Sequence, residues 1–391
     1  MFGTYTYDEA AAQRDLRIDF IRGLAMLFVV VDHVNLLSGY YIITHEGLGV
    51  FTGAGVFVMV SGFILGIVNH RRLQHSHGLA EVRKKLWTRA FTIYKLALTV
   101  ALILFLFRFT GWPDVTPLTT YPDPSSGIRE DLFQAAGIPA SALVFHFLSL
   151  HYSPAELNVL GLYVALLLFA PLAFWLLKKR LAVVVLVFSW GLYLLNEYYR
   201  IRLTPAAFER PFPLLSWQVF FFTGLVAGWY KEKIFGFFYG PQGKKALVAV
   251  GIVTCCLLFY SWNNPWEPVP YHARLRWISE WRFTQLYALF FQRVFPGIGR
   301  IVNVMSFLVF LFAILTIWWQ PLKRFFGWFF IPVGQASLYV FTVHIVFVLA
   351  VYHIAYLQSS TVKFNTLVHT YILLLVWLMV RYRVLFRIIP R

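Results

Sequence analysis

Long apolar runs separated by short polar segments dominate the chain and predict helices that cross a membrane. A spanning helix needs roughly 17–25 mainly apolar residues, and ten runs come close to that length. The sustained alternation of apolar and polar positions that indicates strands is absent from the sequence. The predicted fold is therefore an all-α polytopic membrane protein, one domain over residues 1–391, with about ten transmembrane helices near residues 18–38, 48–69, 90–109, 156–177, 181–198, 214–230, 244–262, 298–319, 330–356 and 363–380.

The segments between these runs differ in charge, which predicts the side of the membrane on which each lies. Residues 70–89 carry six Lys and Arg side chains, so the positive-inside rule assigns this basic loop to the cytoplasm. An even number of spans then leaves both termini cytoplasmic, and residues 1–16 become a polar leader without a cleavable signal peptide. Residues 111–152 and 263–296 are expected outside. Within the first of these, 132–152 predicts a re-entrant or interfacial helix rather than a span.

The net charge of +17 does not change this interpretation. Only 13% of the residues are charged, against about a quarter in an average soluble domain. Because the cations collect in short loops, we expect contacts with lipids and no nucleic-acid partner. The adjacent Cys255 and Cys256 point to different sides of one predicted span, so neither a disulfide nor a metal site is expected.

The first apolar run is unusual because it holds several ionisable residues. Arg17, Asp19 and Arg22 lie at its cytoplasmic end, and Asp32 and His33 lie deep inside it. Arg22 and His33 are eleven residues apart, which is about 16 Å along a helix and within roughly 20° of the same face. Such groups inside a membrane usually line a path or cavity. The arginines also fit as positive-inside anchors, and for Arg17 the two interpretations are balanced.

Other candidate residues have ordinary structural explanations beside the functional ones. Small residues of the second run allow close approach of either a helix or a ligand, and Ser61 among them suits packing better than nucleophilic catalysis. His344 suits a bond between helices. Glu156 and Asn158 either cap a helix or meet a sugar. The outer arginines either face headgroups or line a vestibule, in which Arg274 would lie near two stacking surfaces, Trp262 and Trp266.

Several of these motifs, in this order along most of the chain, resemble the transmembrane acyltransferase superfamily, and within it the OpgC family. The match rests on DFIRGLA at 19–25 with Asp32-His33, FVMVSGF at 57–63, RAFTIY at 89–94, the Leu162-Tyr163 pair leading to Pro171, WQVFFFTG at 217–224 and ASLYVF at 336–341. Many OpgC-like sequences carry acidic residues just before the second motif, whereas this chain has TGAGV at 52–56. The acyl group and the acceptor therefore stay open.

The resemblance implies an O-acyltransferase of the cell inner membrane. Such an enzyme moves an acyl group, succinyl or acetyl, from cytoplasmic acyl-coenzyme A to a hydroxyl of a glycan on the outer side. His33 would be the general base, with Asp32 beside it. The coenzyme A would be held by Arg17, Asp19, Arg22, Ser61, Arg71, Arg72, Arg89 and Tyr94, and the glycan by Glu156, Asn158, Trp262, Trp266, Arg274 and His344.

A transporter is the alternative from a different class. A proton-coupled transporter or flippase would use the same intramembrane charges as a proton relay. Many transporters are built from internal repeats. No convincing repeat is visible in this sequence, which favours the enzyme.

Overall fold

The computed structural model describes residue 7 and residues 14–74, 78–122, 129–134, 137–266, 274–354, 357 and 361–390. Its helices are α1 (Leu16–Val34), α2 (Gly53–Gln74), α3 (Leu79–Thr110), α4 (Thr116–Thr119), α5 (Ala140–Leu148), α6 (Asn158–Lys178), α7 (Ala182–Tyr199), α8 (Leu214–Trp229), α9 (Lys231–Tyr239), α10 (Pro241–Ser261), α11 (Glu280–Phe290), α12 (Ile298–Ile317), α13 (Trp319–Leu322), α14 (Trp328–Gln335), α15 (Ser337–His353) and α16 (Val362–Arg381). Single-turn helices occur at Gly39–Ile42, Ala155–Leu157, Ala207–Glu209 and Lys323–Gly327.

The described part of the chain is an all-α multi-pass membrane protein. Seven of its helices are long and apolar enough to cross a membrane: α2, α3, α6, α7, α10, α12 and α16. A stretch from Trp319 to His353 passes the same test but bends by 93° between α14 and α15, as a broken span or a re-entrant loop. The two other predicted spans coincide with α1, which carries three charges in its first turns, and with the 16-residue α8. The number ten and the sides of the termini stay predictions.

Helix α1 lies at the centre of the bundle. It packs on α2, α14 and α15, and residues on every side of it are buried. The side chain of Asp15 starts the helix by accepting a hydrogen bond from the backbone N–H of Arg17, and Asn35 ends it in the left-handed conformation. A helix that is buried all round holds its polar side chains inside the protein rather than in lipid.

Helix α2 packs against α8 through glycines. A β-carbon at Gly62 would overlap the carbonyl oxygen of Phe221, and one at Gly66 would overlap that of Leu225. From the other side, a β-carbon at Gly224 would overlap the carbonyl oxygen of Met59. The small residues of the second apolar run therefore serve, at these positions, the close approach of two helices.

Several predicted boundaries need correction. The basic segment 70–89 is mostly helical, because α2 continues to Gln74 and α3 begins at Leu79; residues 75–77 lie outside the described part. Helix α3 is 32 residues long, well beyond the predicted span 90–109. Segment 132–152 holds the nine-residue α5, which is too short to cross a membrane and so agrees with the prediction that this segment is not a span. Segment 111–152 also contains the antiparallel pair β1 (Thr120–Pro122) and β2 (Arg129–Asp131), which the sequence pattern did not predict.

Candidate active site

One end of the face of α1 that carries Arg22 and His33, here called the α1 stripe, is a cluster of cations around one acid. Arg22 donates a short hydrogen bond to Oγ of Ser337, the first residue of α15, and its Nη1 lies 4.0 Å from Oδ1 of Asp19. Its Nε atom is buried and has no hydrogen-bond partner among the described residues. Arg14 and Arg89 interact with it repulsively. Asp19 pairs with two of these arginines, Arg14 and Arg22, so the cluster of three has an excess of positive charge.

Asp19 organises this cluster from a buried position. Its Oδ1 accepts from Nη2 of Arg14 at 2.6 Å, and its Oδ2 accepts from Nε2 of Gln335 at 3.2 Å. Gln335 ends α14, and Ser337 begins α15, so the bend between these helices supplies two of the polar partners. Because Asp19 accepts from Arg14 and Gln335 and lies 4.0 Å from Arg22, it suits positioning of Arg22 better than direct contact with an anion.

Arg17 is an internal structural residue rather than part of this cluster. The side chain is fully buried, and its Nε and Nη2 donate to the carboxylate of Asp15 at 2.9 Å. Its Nη1 donates to Oγ1 of Thr316 at 2.7 Å, which joins α1 to α12. The guanidinium also lies over the rings of Tyr7 and Phe312, about 4 Å from each centroid. These contacts occupy the guanidinium and contradict its prediction as a phosphate ligand.

The other end of the stripe is a pair of histidines. Nδ1 of His33 lies 2.7 Å from Nε2 of His344, which comes from α15 and is fully buried. The prediction that His344 bonds between helices is confirmed, and His33 is its partner. The edge of Phe341 packs near the His33 ring. One nitrogen of His33 is therefore engaged by protein, and the rest of the ring lines a cavity.

This cavity, here called the outer cavity, has a volume of about 290 Å³. Polar and charged groups of four segments converge on it together with small and aromatic residues. It is lined by Val29, Asp32, His33, His45, Glu46, Phe51, Thr52, Gly53, Ala54, Ala155, Glu156, Val159, Phe212, Arg293 and Phe341. A concave site with a few convergent polar groups is the usual form of a ligand pocket.

Aromatic rings connect the two ends of the stripe. The ring of Phe57 stacks on that of Phe341, with centroids 6.0 Å apart, and meets the ring of Tyr163 at 6.4 Å. Phe341 reaches His33, while Tyr163 interacts electrostatically with Arg22. Aromatic side chains of α2, α6 and α15 therefore form a chain of contacts between Arg22 and His33.

Asp32 holds the neighbouring outer loop. Its Oδ1 accepts from Nδ1 of His45 at 3.2 Å and from the backbone N–H of the same residue. Burial, followed by the nearby Arg293, lowers the pKa of His45 to about 4, so this ring is neutral at pH 7. Asp32 and His45 are therefore joined by a hydrogen bond to a neutral imidazole. These contacts position the loop through Asp32, in place of the predicted assistance of His33 in catalysis.

Glu46, the next residue, forms a buried ion pair that sequence analysis missed. Its Oε1 accepts from Nη2 of Arg300 at 2.7 Å and from Nε of Arg293 at 3.1 Å, and the hydroxyl of Tyr287 adds a third contact. Burial raises the pKa of the Glu46 carboxyl, but the two guanidinium groups and these hydrogen bonds outweigh it and leave the pKa below its usual value. The pair fixes the loop 39–52 to α11 and α12.

The remaining residues predicted to bind coenzyme A are dispersed. Arg89 is exposed on α3 near Arg22, as described above. Arg72 contacts Asn69 on its own helix, and Arg71 is exposed. Tyr94 donates to the carbonyl of Leu148 at 2.7 Å, so its hydroxyl is engaged by the protein away from Arg22. Ser61 is buried among the small residues of α2 that face α8.

The predicted glycan-binding residues divide into two groups. Glu156 lines the outer cavity, and Asn158 is buried next to it. Trp262 donates from Nε1 to the carbonyl of Gly47 at 2.7 Å and so anchors the loop 39–52. Trp266 packs edge-on against Phe283 and Tyr287, and Arg274 donates to the carbonyl of Pro265. These last three support the outer face and do not line the outer cavity.

Two further observations limit the chemistry of the described part. No three His, Cys, Asp or Glu side chains in it come together as a metal site. Cys255 and Cys256 are free and exposed on α10.

The comparisons with known proteins give one match. A protein-family model described as OpgC protein matches residues 14–388, nearly the whole chain. No curated protein and no solved structure matches this chain significantly. The family match covers both ends of the α1 stripe and every helix around the outer cavity. The chain therefore belongs to the OpgC family.

Proposed function

We propose that the protein is a membrane O-acyltransferase that transfers an acyl group from coenzyme A to a hydroxyl of a glycan. Membership of the OpgC family supports a membrane transferase. The observation that carries the finer proposal is the position of His33, whose ring is held by His344 on one side and lines the outer cavity on the other. A base at the bottom of a cavity can take a proton from a hydroxyl that enters it.

Acyl-coenzyme A, with succinyl or acetyl as the acyl group, is the proposed donor. Its phosphates need cations, and the cluster of Arg22, Arg89 and Arg14 has one carboxylate for three guanidinium groups. The buried, unpaired Nε of Arg22 adds an unused donor. From there the pantetheine arm would follow the aromatic region to His33, about 16 Å further along α1 by helical rise. Arg17 takes no part in this site, since its guanidinium is engaged internally.

The chemistry requires one particular tautomer of His33. If Nδ1 carries the proton and donates it to Nε2 of His344, then Nε2 of His33 keeps a lone pair for the acceptor. The acceptor oxygen attacks the thioester carbonyl, a C–O bond forms, and the C–S bond breaks. The hydroxyl proton goes to Nε2 of His33 and then to the departing thiolate. The imidazolium between these two steps is stabilised by its hydrogen bond to His344.

The orientation in the membrane belongs to the same proposal. Ten spans with both termini in the cytoplasm of a cell with an inner membrane would put the arginine cluster inside and the outer cavity outside. A single cysteine at exposed Lys85, in a chain with Cys255→Ser and Cys256→Ser, tests this. An impermeant maleimide should leave it unlabelled in intact cells and label it in inverted vesicles. Labelling in intact cells would show that the orientation is the opposite of the proposed one.

The reaction itself is tested with purified protein in detergent. Succinyl- or acetyl-coenzyme A and a soluble glucan are added, and both the free thiol and the acylated glucan are measured. We expect both products with wild type and neither above background with His33→Ala. Detergent removes any sealed compartment, so a transporter would give no product. Transfer by His33→Ala at the wild-type rate would show that His33 is not the general base.

A further inference from the structure

Glu156 lines the outer cavity on the side formed by the start of α6, while His33 lines it from α1. It belongs to the single helical turn Ala155–Leu157, which follows Pro154 and leads into Asn158. Two titratable side chains from distant parts of the sequence thus share one cavity of about 290 Å³. This is at the small end of the range of about 300–1,000 Å³ found for ligand pockets, and suits one sugar ring rather than a chain of them.

The carboxyl group of Glu156 is only partly satisfied by the protein. The backbone of the same residue forms a hydrogen bond with the carboxyl group, whereas Oε2 is shielded from solvent and has no hydrogen-bond partner among the described residues. The nearest residues of its own segment that line the cavity are Ala155 and Val159, which offer no side-chain donor. The cation of the cavity, Arg293, is bound to Glu46. A buried polar atom without a partner is costly, and such atoms in native proteins call for an explanation.

A capping role does not supply that explanation. Neither the turn Ala155–Leu157 nor α6 has a side-chain cap hydrogen bond. Glu209, another acid of the outer side, shows what a structural carboxylate looks like in this protein. Its oxygens accept from the backbone N–H of Leu214 at 3.1 Å and from Oγ1 of Thr204 at 3.5 Å. The contrast with Glu209 leaves room at Glu156 for a partner from outside the protein, either water or a ligand.

We propose that Glu156 accepts a hydrogen bond from a hydroxyl of the acceptor and so holds that molecule against His33. The proposal rests on the proposed acyl transfer and adds a residue that positions the acceptor. The carboxyl oxygens of Glu156 can accept from hydroxyl donors, so one hydroxyl of the acceptor would lie at His33 and another at Glu156.

The test separates use of the donor from recognition of the acceptor. Without a glycan, equilibrium binding of acyl-coenzyme A reports on the donor site alone. Glu156→Leu should raise the KM for a neutral glucose oligosaccharide about 10- to 100-fold, the loss expected when a buried hydrogen-bond partner is removed. The affinity for acyl-coenzyme A should stay at the wild-type value. Glu156→Gln should lose less, because its amide oxygen can still accept from a hydroxyl.

Glu130→Gln is the matched control, because Glu130 is an exposed outer acid paired with Arg210. It should change neither quantity. Binding of the neutral oligosaccharide, measured by saturation-transfer NMR without donor, adds a readout that does not need catalysis. Unchanged KM and binding in Glu156→Leu, equal losses of acyl-coenzyme A affinity and oligosaccharide affinity, or no oligosaccharide binding by wild type would each overturn the role of Glu156. Oligosaccharide binding that depends on Glu156, with no thiol release from acyl-coenzyme A by wild type, would instead overturn the acyl transfer alone.

Discussion

Nε2 of His344 lies 2.7 Å from Nδ1 of His33, across the contact between α15 and α1. The two residues are 311 positions apart in sequence, so this bond exists only in the folded protein. It engages one nitrogen of His33 and thereby determines which nitrogen can face the outer cavity. The partner of the proposed base is thus a second imidazole, where many hydrolytic sites use a carboxylate.

Replacement of His33 by Ala or Gln should abolish acyl transfer and leave binding of acyl-coenzyme A intact. Loss of a general base costs about 10²- to 10⁴-fold in rate. The arginine cluster is about 16 Å away by helical rise, so donor affinity should change little. Thiol release gives the rate, and equilibrium binding of acyl-coenzyme A gives the affinity. A variant that loses both would point to a structural role.

His344 should act through the tautomer of His33. In His344→Gln the amide oxygen can still accept from Nδ1 of His33, whereas in His344→Leu nothing can. We expect His344→Leu to lose more activity than His344→Gln, with both losses below the roughly 10²- to 10⁴-fold range of base removal. The pH profile of kcat should shift in His344→Leu only. Equal losses with unchanged profiles would mean that the residue merely packs.

Arg22 and Arg17 should give opposite phenotypes although they lie five residues apart. Arg22→Ala should raise the KM for acyl-coenzyme A about 10- to 100-fold, as for one hydrogen bond to a charged group, and Arg22→Lys should recover part of this. Arg17→Ala should lower stability by less than the roughly 3–5 kcal/mol of a broken buried pair, because Asp15 keeps Lys231 as a partner at 3.2 Å. Donor kinetics and thermal unfolding in detergent separate the two. A donor KM unchanged in Arg22→Ala would remove it from the proposed site.

The Glu46–Arg300 pair should make the outer loop sensitive to acid. The folded-state pKa of Glu46 lies below its ordinary value of 4.5. Its contribution to stability is therefore complete above pH 4.5 and is lost as the pH falls through the lower folded-state value. Glu46→Gln should remove this dependence and lower the melting temperature at pH 7. The free-energy loss should be less than the roughly 3–5 kcal/mol of a broken buried pair, since Arg300 keeps the carbonyl of Phe291 as acceptor.

A methyl group at Gly62 should be far more harmful than one at Gly191. The first would overlap the carbonyl oxygen of Phe221 on α8, whereas the second would meet no atom within 4 Å on α7. Gly62→Ala should therefore cost about 1–3 kcal/mol through forced separation of the helices. Gly191→Ala should be neutral or stabilise by up to about 1 kcal/mol. The melting temperatures of the two variants measure this difference in stability. Equal values would contradict direct contact between α2 and α8.

The sequence predicted the helices and one face of α1 well, because both follow from local periodicity. Apolar runs coincide with helices along most of the chain, and the spacing of Arg22 and His33 requires only a regular helix. The family was also predicted correctly from short motifs. Helix ends were less accurate: basic residues of 70–89 lie on α2 and α3, since a polar sequence next to a span can continue its helix.

Partners from distant helices could not be predicted. Nothing near His33 in sequence indicates His344. Glu46 likewise pairs with Arg300, which lies 254 residues further along the chain. Arg17 and Arg22 look alike in sequence, yet one is enclosed by Asp15 and Thr316 and the other meets Ser337. A signal for Glu46 was present all the same, since it is an acid in an outer segment that lacks Lys and Arg.

The glycine contacts between α2 and α8 have a consequence for how the two substrates meet. Backbones that touch directly cannot slide past one another without severe overlap, so these helices move as one rigid body. In alternating access, one half of a transporter rotates against the other half to move its substrate. Such a motion could not separate α2 from α8. A rigid α2–α8 pair is compatible with another arrangement, in which the donor enters from one side of the membrane and the acceptor from the other. Only the acyl group would then cross.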